Sequence, residues 1–262
     1  MKLPFVVDGD GSGPKLVFAH GLMGTGAIQR SQMQPLVDAG WTVATFDQRG
    51  HADAPPIHDA SDNDPVAMGD DLWEVADAAG FDRCWIGGGS MGAATSWCAA
   101  RSRPERVEGL IQAVPALRDE PHPAIFMFDA LAGIVAESGN AGAVATLRKL
   151  SEDAGAPVDE MFLEQLMRHD TKSLETALRS VPRWVLDDVP GGFADVPFPV
   201  IVTGWDDDPI HPLQTAKDIA AAAQVELVVT DMAIAREDPS RFGRLLADAI
   251  AGTVRALSTY RI

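Results

Sequence analysis

The stretch IGGGSMGAATS, Ile86 to Ser96, decides how this chain folds, and it admits two incompatible readings. Gly88-Gly89-Ser90-Met91-Gly92 is G-x-S-x-G, a turn that presents a serine nucleophile. Gly87 to Gly92 is also G-x-G-x-x-G, a loop that cradles a pyrophosphate. The dinucleotide reading needs its loop after the first strand of a βαβ unit, and an acid about 20 residues on at the end of the second strand. Here the loop follows roughly the fifth strand pattern. The acid at the right distance, Glu108, precedes its strand instead of ending it. The nucleophile reading needs a strand, a sharp turn at the serine and a helix starting at once. Cys84 to Gly88, Ser90 and the run from Met91 onward supply them. The flanking glycines and the small residues Ala93 and Ala94 leave room where strand, turn and helix crowd together.

Working outward, LPFVV, DGDGSG and KLVFAHG read as strand, turn and strand, with Asp-Gly a hairpin signal. Residues 27–39 read as a helix closed by Gly40, and WTVATFD as a buried strand. PVAMGDDLWEVADAAG carries apolar residues at helical spacing. VEGLIQAV, PVIVTGW and VELVVTD are further strand patterns, with PLQTAKDIAAAAQ and PSRFGRLLADAIAGTVRAL as helices. Between about Arg118 and Asp195 the patterns are helical only: IFMFDALAGIVAES, AGAVATLRKLS, VDEMFLEQLMRH and SLETALRSV. Strands alternating with helices imply a mostly parallel sheet with helices on both faces, an α/β fold. The helical stretch reads as a lid, residues 118–195, inserted into a core of residues 1–117 and 196–262. It is expected to cover the carboxyl edge of the sheet, where open α/β sheets bind ligands.

The chain has 262 residues, 46% of them hydrophobic, enough for one large domain or a domain with an insertion. A formal net charge of -17 repels phosphate backbones and anionic membranes, so neither nucleic acid nor membrane is expected as a partner. The two cysteines, Cys84 and Cys98, form no C-x-x-C pair and sit in apolar stretches. They are expected as buried thiols of a cytoplasmic protein. No long uncharged apolar window and no signal-peptide pattern is found. The six histidines are scattered without ligand spacing, so no metal is expected, and no cofactor is implied.

Three motifs, each after a strand and in the same order, together with the serine turn, resemble the α/β-hydrolase family. The resemblance covers nearly all of the chain outside the helical stretch. His20-Gly21-Leu22-Met23-Gly24 looks like the family's oxyanion loop. The resemblance implies that the backbone N–H groups of Leu22 and Met91 form the oxyanion hole, which stabilises a tetrahedral intermediate by several kcal/mol. Asp47-Gln48-Arg49-Gly50-His51 is similar to the family's D-x-R-G-H loop, which implies packing roles for Asp47, Arg49 and His51. Trp205-Asp206-Asp207-Asp208-Pro209-Ile210-His211-Pro212 is similar to the acid loop. The spacing to Pro212 selects Asp208 as the acid, with Asp207 as second choice and Asp206 as a capping residue of the turn.

The family pattern breaks at its base. A serine hydroxyl is a poor nucleophile near neutral pH without an adjacent proton acceptor. The family places that histidine after the last strand, and matching Glu237-Asp238-Pro239 to the usual turn puts it at Met232, with a slip to Ala233 or Ala235. No histidine follows His211. Four explanations stay open. The native histidine has been replaced by design. Another residue acts as base, with His211, His20 and Asp231 as the candidates. The scaffold performs lyase, isomerase or cyclase chemistry. Or it is a ligand-binding pocket protein. The two histidines also read as loop hydrogen-bonders, and Asp231 as a strand-end cap.

The expected function is therefore hydrolysis of a small to medium apolar ester or related acyl compound through Ser90, with atypical base catalysis. A haloalkane- or epoxide-type enzyme of the family would need aspartate at position 90. Phe126, Met127, Phe128, Leu131, Ile134, Met161, Phe162, Leu166, Met167 and Trp184 form the lid's apolar inventory. Most are expected in the lid's own core and about a third on the pocket. The partner is a small-molecule substrate or ligand under the lid, and a homodimer is compatible with the sequence.

Overall fold

The computed structural model describes residues 2–156, 158–206, 208, 210–231 and 239–259. Strands β1 (Phe5–Asp8), β2 (Lys15–Ala19), β3 (Thr42–Phe46), β4 (Cys84–Gly89), β5 (Val107–Ala113), β6 (Val200–Asp206) and β7 (Leu227–Asp231) form one sheet. Its order is β1-β3-β2-β4-β5-β6-β7. All neighbours pair in parallel except β1, which runs antiparallel to β3. The helices that pack on the sheet are α1 (Gly26–Asp38), α2 (Pro65–Ala78), α3 (Met91–Ser102), α7 (Leu213–Ala223) and α8 (Pro239–Thr259). Helices α4 (Ile125–Asp153), α5 (Glu160–Leu166) and α6 (Thr171–Ser180) fall between β5 and β6.

The strands are buried on both sides, so successive side chains feed two separate cores. Leu16, Phe18, Val43, Trp85, Ile111 and Ile201 point to the face covered by Met33 and Leu36 of α1 and by Phe242, Leu246 and Ile250 of α8. Val17, Ala44, Phe46, Ile86, Leu110 and Val202 point the other way, against Leu72 and Trp73 of α2, Trp97 of α3 and Ile219 of α7. Trp73 is fully buried and its indole N–H donates to Ala99 O at 2.9 Å. Removing a side chain of that size from such a site costs about 3–5 kcal/mol. The helices start where the sequence supplies caps. Thr25 accepts from Ile28 N at α1, Asp64 from Val66 N and Ala67 N at α2, and Asp170 from Ser173 N at α6.

Several expectations from the sequence are corrected. The Asp-Gly turn does not make a hairpin of β1 and β2. Both edges of β2 are taken by the parallel partners β3 and β4, so β1 passes on to the outer edge of β3, pairing Phe5 with Phe46. The serine turn follows the fourth strand of the chain, not roughly the fifth. The two helices expected at 125–138 and 141–151 are both present, as the two halves of α4, separated by a break at Gly139 (φ 65°, ψ -171°). That backbone conformation is open essentially to glycine alone. Taken as one stretch, Ile125–Asp153 is long and apolar enough to cross a membrane, but the break at Gly139 divides it into two shorter helices. Helix α4 packs against α6, with Ala132, Val135, Ala143, Leu166, Leu174 and Leu178 forming a third apolar cluster.

The aromatic and methionine inventory of this helical block divides differently from the expected pattern. Leu166 and Trp184 are buried, whereas Phe126, Met127, Met161 and Met167 are exposed. Trp184 belongs to the main sheet core, where its indole N–H donates to Asn63 O at 2.9 Å. Cys84 is buried and Cys98 half-buried, and burial pushes both thiols up to about 12.

Candidate active site

Ser90 sits between β4 and α3 with φ 55° and ψ -114°, a conformation that a non-glycine residue adopts only under strain. The surroundings hold it there. Ser90 N–H donates to Ala113 O of β5 at 3.0 Å, and Ser90 O accepts from Ala93 N at 2.9 Å. The glycines permit the close approach. A Cβ on Gly92 would lie 2.2 Å from Ala19 O, so α3 can meet β2 here only without a side chain. Ser90 is half-buried, not sealed in hydrocarbon. Met91 is the first residue of α3, so its N–H has no intrahelical acceptor and belongs to the donor end of the helix.

The turn expected as the oxyanion loop lies beside it. A Cβ on Gly21 would sit 3.3 Å from both Gly89 O and Ser90 Cβ, which brings the Gly21–Gly24 turn against the serine. Gly24 N–H closes the turn on Gly21 O at 2.9 Å, with Met23 at φ 65°. His20 closes on the same carbonyl, its Nδ1 at 2.8 Å from Gly21 O. Since the acceptor is a carbonyl, Nδ1 carries the proton, and Nε2 then accepts from Gln48 N at 3.0 Å. Both ring nitrogens are engaged, and burial drives the pKa of His20 down to about 3. His20 has no free nitrogen for a serine proton, which corrects its candidacy as base. Its effect is orientational. The Gly21 carbonyl and the Leu22 N–H belong to one rigid peptide plane and point in opposite directions. Holding the carbonyl on His20 and Gly24 therefore fixes where the Leu22 N–H points. Gln48 reinforces the arrangement, donating from Nε2 to His20 O at 2.6 Å and accepting from Thr95 Oγ1 at 2.8 Å.

The D-x-R-G-H loop packs as the sequence suggested. Asp47 accepts from Gly26 N at 2.7 Å and from Asp53 N at 3.3 Å, and burial raises its pKa. Arg49 forms a two-pronged pair with Asp71 of α2, at 2.5 and 2.8 Å. His51 Nδ1 donates to Arg49 O at 3.0 Å.

The acid loop leaves the carboxyl end of β6, two strands from the serine, a separation of about 10 Å at ordinary strand spacing. Asp208 Oδ1 accepts from Ile210 N at 2.8 Å and His211 N at 3.3 Å, an Asx turn that fixes the carboxylate. Its other oxygen lies 2.5 Å from His211 Nδ1. Burial opposes the charge of Asp208, but the His211 ring and the two backbone N–H groups outweigh it, and its pKa is lowered. The His211 ring also makes an edge contact with Trp205, with centroids 5.3 Å apart. With Nδ1–H given to the carboxylate, Nε2 is the acceptor nitrogen. Asp206 ends β6 and is exposed, and the N-cap of α7 is Pro212, so Asp206 is a strand residue and not a cap. Asp207 and Met232, like Ala233 and Ala235, lie outside the described residues, as does the side chain of Asp231, whose backbone ends β7.

Two contacts escaped sequence reasoning. His122 is buried just ahead of α4, and its Nε2–H donates to Ile210 O at 2.8 Å, clamping the acid loop. His169, between α5 and α6, accepts from Ala52 N at 3.0 Å. Neither stands in a motif, because each acts through a backbone group distant in sequence. Two cavities lie elsewhere, one of about 260 Å³ beside Trp97 and Phe198 and one of about 480 Å³ beside Arg179 and Arg183. Neither borders Ser90.

A family model described as alpha/beta hydrolase fold matches residues 14–233 of the chain. Among curated proteins, the chain is 37% identical over 107 residues to the sn-1-specific diacylglycerol lipase ABHD11 of Mus musculus, covering 40% of this chain and 34% of that protein. It is 31% identical over 114 residues to the putative carbamate hydrolase RutD of Variovorax paradoxus, covering 42% of this chain and 41% of that one. The chain thus spans well under half the length of these relatives. Among solved structures, a thermophilic esterase from Thermogutta terrifontis superimposes with a TM-score of 0.79 at 20% identity, covering 96% of this chain and 93% of that one. The enol-lactonase of Burkholderia xenovorans gives 0.77 at 17% identity, covering 95% and 96%. At such identities the likeness is one of fold.

Proposed function

The chain belongs to the α/β-hydrolase fold family, and from that premise we propose that it is a serine hydrolase of carboxylic esters or related acyl compounds, with its base displaced into the acid loop. The observation that carries this reading is the Asp208–His211 contact of 2.5 Å, which leaves His211 Nε2 as a proton acceptor at the carboxyl edge of the sheet. The relatives support the reaction class, since a lipase, a carbamate hydrolase and esterases are among them. An epoxide hydrolase is also among them, but that chemistry needs a carboxylate where this chain has Ser90.

In this mechanism Ser90 Oγ attacks the ester carbonyl while His211 Nε2 takes the hydroxyl proton. The carbonyl oxygen becomes an oxyanion between the N–H groups of Leu22 and Met91, whose strength comes from being fixed before the reaction begins. His211 then returns the proton to the leaving alkoxide, and Asp208 stabilises the imidazolium between the two transfers. Water completes the cycle by the same route, releasing the acid. The helical block 118–195 serves as a lid on the core of 1–117 and 196–262. Its apolar side chains, among them Phe128 and Leu131, suit a small to medium apolar acyl group.

A second reading is favoured by one observation, the absence of any histidine after His211 in the sequence. It is a pocket protein of the same fold that does not hydrolyse esters. Fluorophosphonate labelling followed by peptide mass spectrometry separates the two. The serine reading expects a phosphonylated Ser90 in the unmodified protein and none in Ser90→Ala. An unlabelled Ser90 in active-temperature, folded protein sinks it.

A further inference from the structure

Three of the histidines not used in this mechanism, His169, His51 and His20, form a buried row between the helical block and the Gly21–Gly24 turn. His169 is 4% exposed, His51 1% and His20 0%. The ring centroids of His169 and His51 are 5.3 Å apart, and those of His51 and His20 5.0 Å, all edge-on. Their hydrogen bonds fix the tautomers. His169 Nδ1 accepts from Ala52 N, so it is bare and Nε2 carries the proton. His20 is protonated on Nδ1 and accepts at Nε2 from Gln48 N. The segment 48–52 therefore hangs between two histidine acceptors, one from the core and one from the helical block. It is itself a tight turn, with His51 N–H donating to Gln48 O at 3.0 Å.

We propose that His169 is a positioning residue through which the helical block sets the oxyanion hole. The chain of contacts has three links. His169 seats the 48–52 turn by accepting from Ala52 N–H. The turn presents Gln48 N–H to His20. His20, with its tautomer so fixed, holds the Gly21 carbonyl and thereby aims the Leu22 N–H.

Independent observations tie the same parts together. The side chains of Leu22 and Met23 pack against the apolar cluster of α4, α5 and α6, so the turn is held by the block from its side chains as well. Asn140, one residue past the break in α4, donates from Nδ2 to His169 O at 2.7 Å and to Leu166 O at 3.3 Å, fixing the backbone that carries the ring. Arg168 pairs with Asp53 on the same turn. The Nε2 atoms of His51 and His169 are buried without a hydrogen-bond partner. The Met23 carbonyl lies near enough to the His169 ring to favour its charged form without closing that bond, and burial still holds the group down at about 4. His169 is thus the neutral acceptor that the Ala52 contact requires.

The inference rests on the serine reading, so its test uses one readout tied to Ser90 and one that is not. In His169→Phe, the amides of Ala52 and Gln48 should exchange with deuterium about tenfold faster, and phosphonylation of Ser90 should slow about tenfold, the scale of a small misplacement of a catalytic donor. His169→Asn places Oδ1 where Nδ1 stood and should restore both to within about twofold. On a chromogenic ester the loss should fall on kcat, with KM unchanged. Should His169→Phe not fold, His169→Gln, whose acceptor lies one bond too far out, takes its place. Undiminished labelling with an exposed Ala52 amide overturns the proposal, as does unchanged Gln48 exchange. If Ser90 of the unmodified protein is never labelled, the serine reading fails alone, and Gln48 exchange still decides between the linked and unlinked arrangements.

Discussion

At the scale of single residues, the site is a set of donors and acceptors whose protonation is dictated by their partners. His20 and His211 illustrate the contrast. Each gives Nδ1–H to an oxygen, but the other nitrogen of His20 is taken by Gln48 N–H, while that of His211 is left as the acceptor. Of the two, only His211 has a ring nitrogen left to accept a proton. In the proposed mechanism Asp208 keeps His211 in the required tautomer, so Asp208→Asn, which can donate to Nδ1 and reverse the tautomer, should lower kcat by roughly 10²–10⁴-fold with little change in KM. Steady-state kinetics on a chromogenic ester measure this, and an unaltered kcat would show that the pair is a structural contact only. Ser90, Leu22, Met91 and Asp208, the residues of the proposed site, could be singled out in the sequence because each belongs to a short motif. His122 and His169 were not, because their partners are the carbonyl of Ile210 and the N–H of Ala52, and backbone groups leave no trace in residue identity.

At the scale of elements, the loops at the carboxyl edge are stapled to helices by buried polar contacts. The clearest is Arg49 with Asp71, whose side chains are 14% and 4% exposed. Arg49 also donates to Asp62 O and Ala67 O, so one guanidinium joins the loop after β3 to both ends of the approach to α2. Removing the carboxylate leaves that charge buried without its main partner, and Asp71→Ala should cost about 3–5 kcal/mol. A urea titration reads the loss, and a change below about 0.5 kcal/mol, the range of ordinary surface substitutions, contradicts it. Helix periods and strand patterns placed nearly every element, since apolar spacing reports burial directly. The pairing of β1 was not legible, because an Asp-Gly turn signals a change of direction and not which strand edge is free. The break at Gly139 was legible, since the helical patterns 125–138 and 141–151 stop on either side of it.

At the scale of the whole molecule, the buried histidines couple stability to pH. Burial lowers His20 to about 3, His169 to about 4 and His51 well below the ordinary 6.5. The unfolded chain therefore takes up protons below 6.5 that the folded protein refuses. Stability is full above that value and falls as the pH drops from 6.5 toward 4, where His169 begins to titrate in the fold. Each histidine contributes up to about 1.4 kcal/mol per pH unit in that window. The lowered carboxyl of Asp208 adds nothing there, because its stabilisation is lost only below the ordinary 3.8. The urea midpoint should thus fall steadily as the pH drops from about 6.5 to about 5, and a flat profile over that range contradicts buried neutral rings. The central claim, however, concerns the proton acceptor, and the most direct measurement is kcat for a p-nitrophenyl ester in His211→Ala beside the unmodified protein. A loss on the order of 10³-fold or more with KM preserved is expected if His211 activates Ser90. Wild-type turnover in His211→Ala would contradict it and return the base to some other residue.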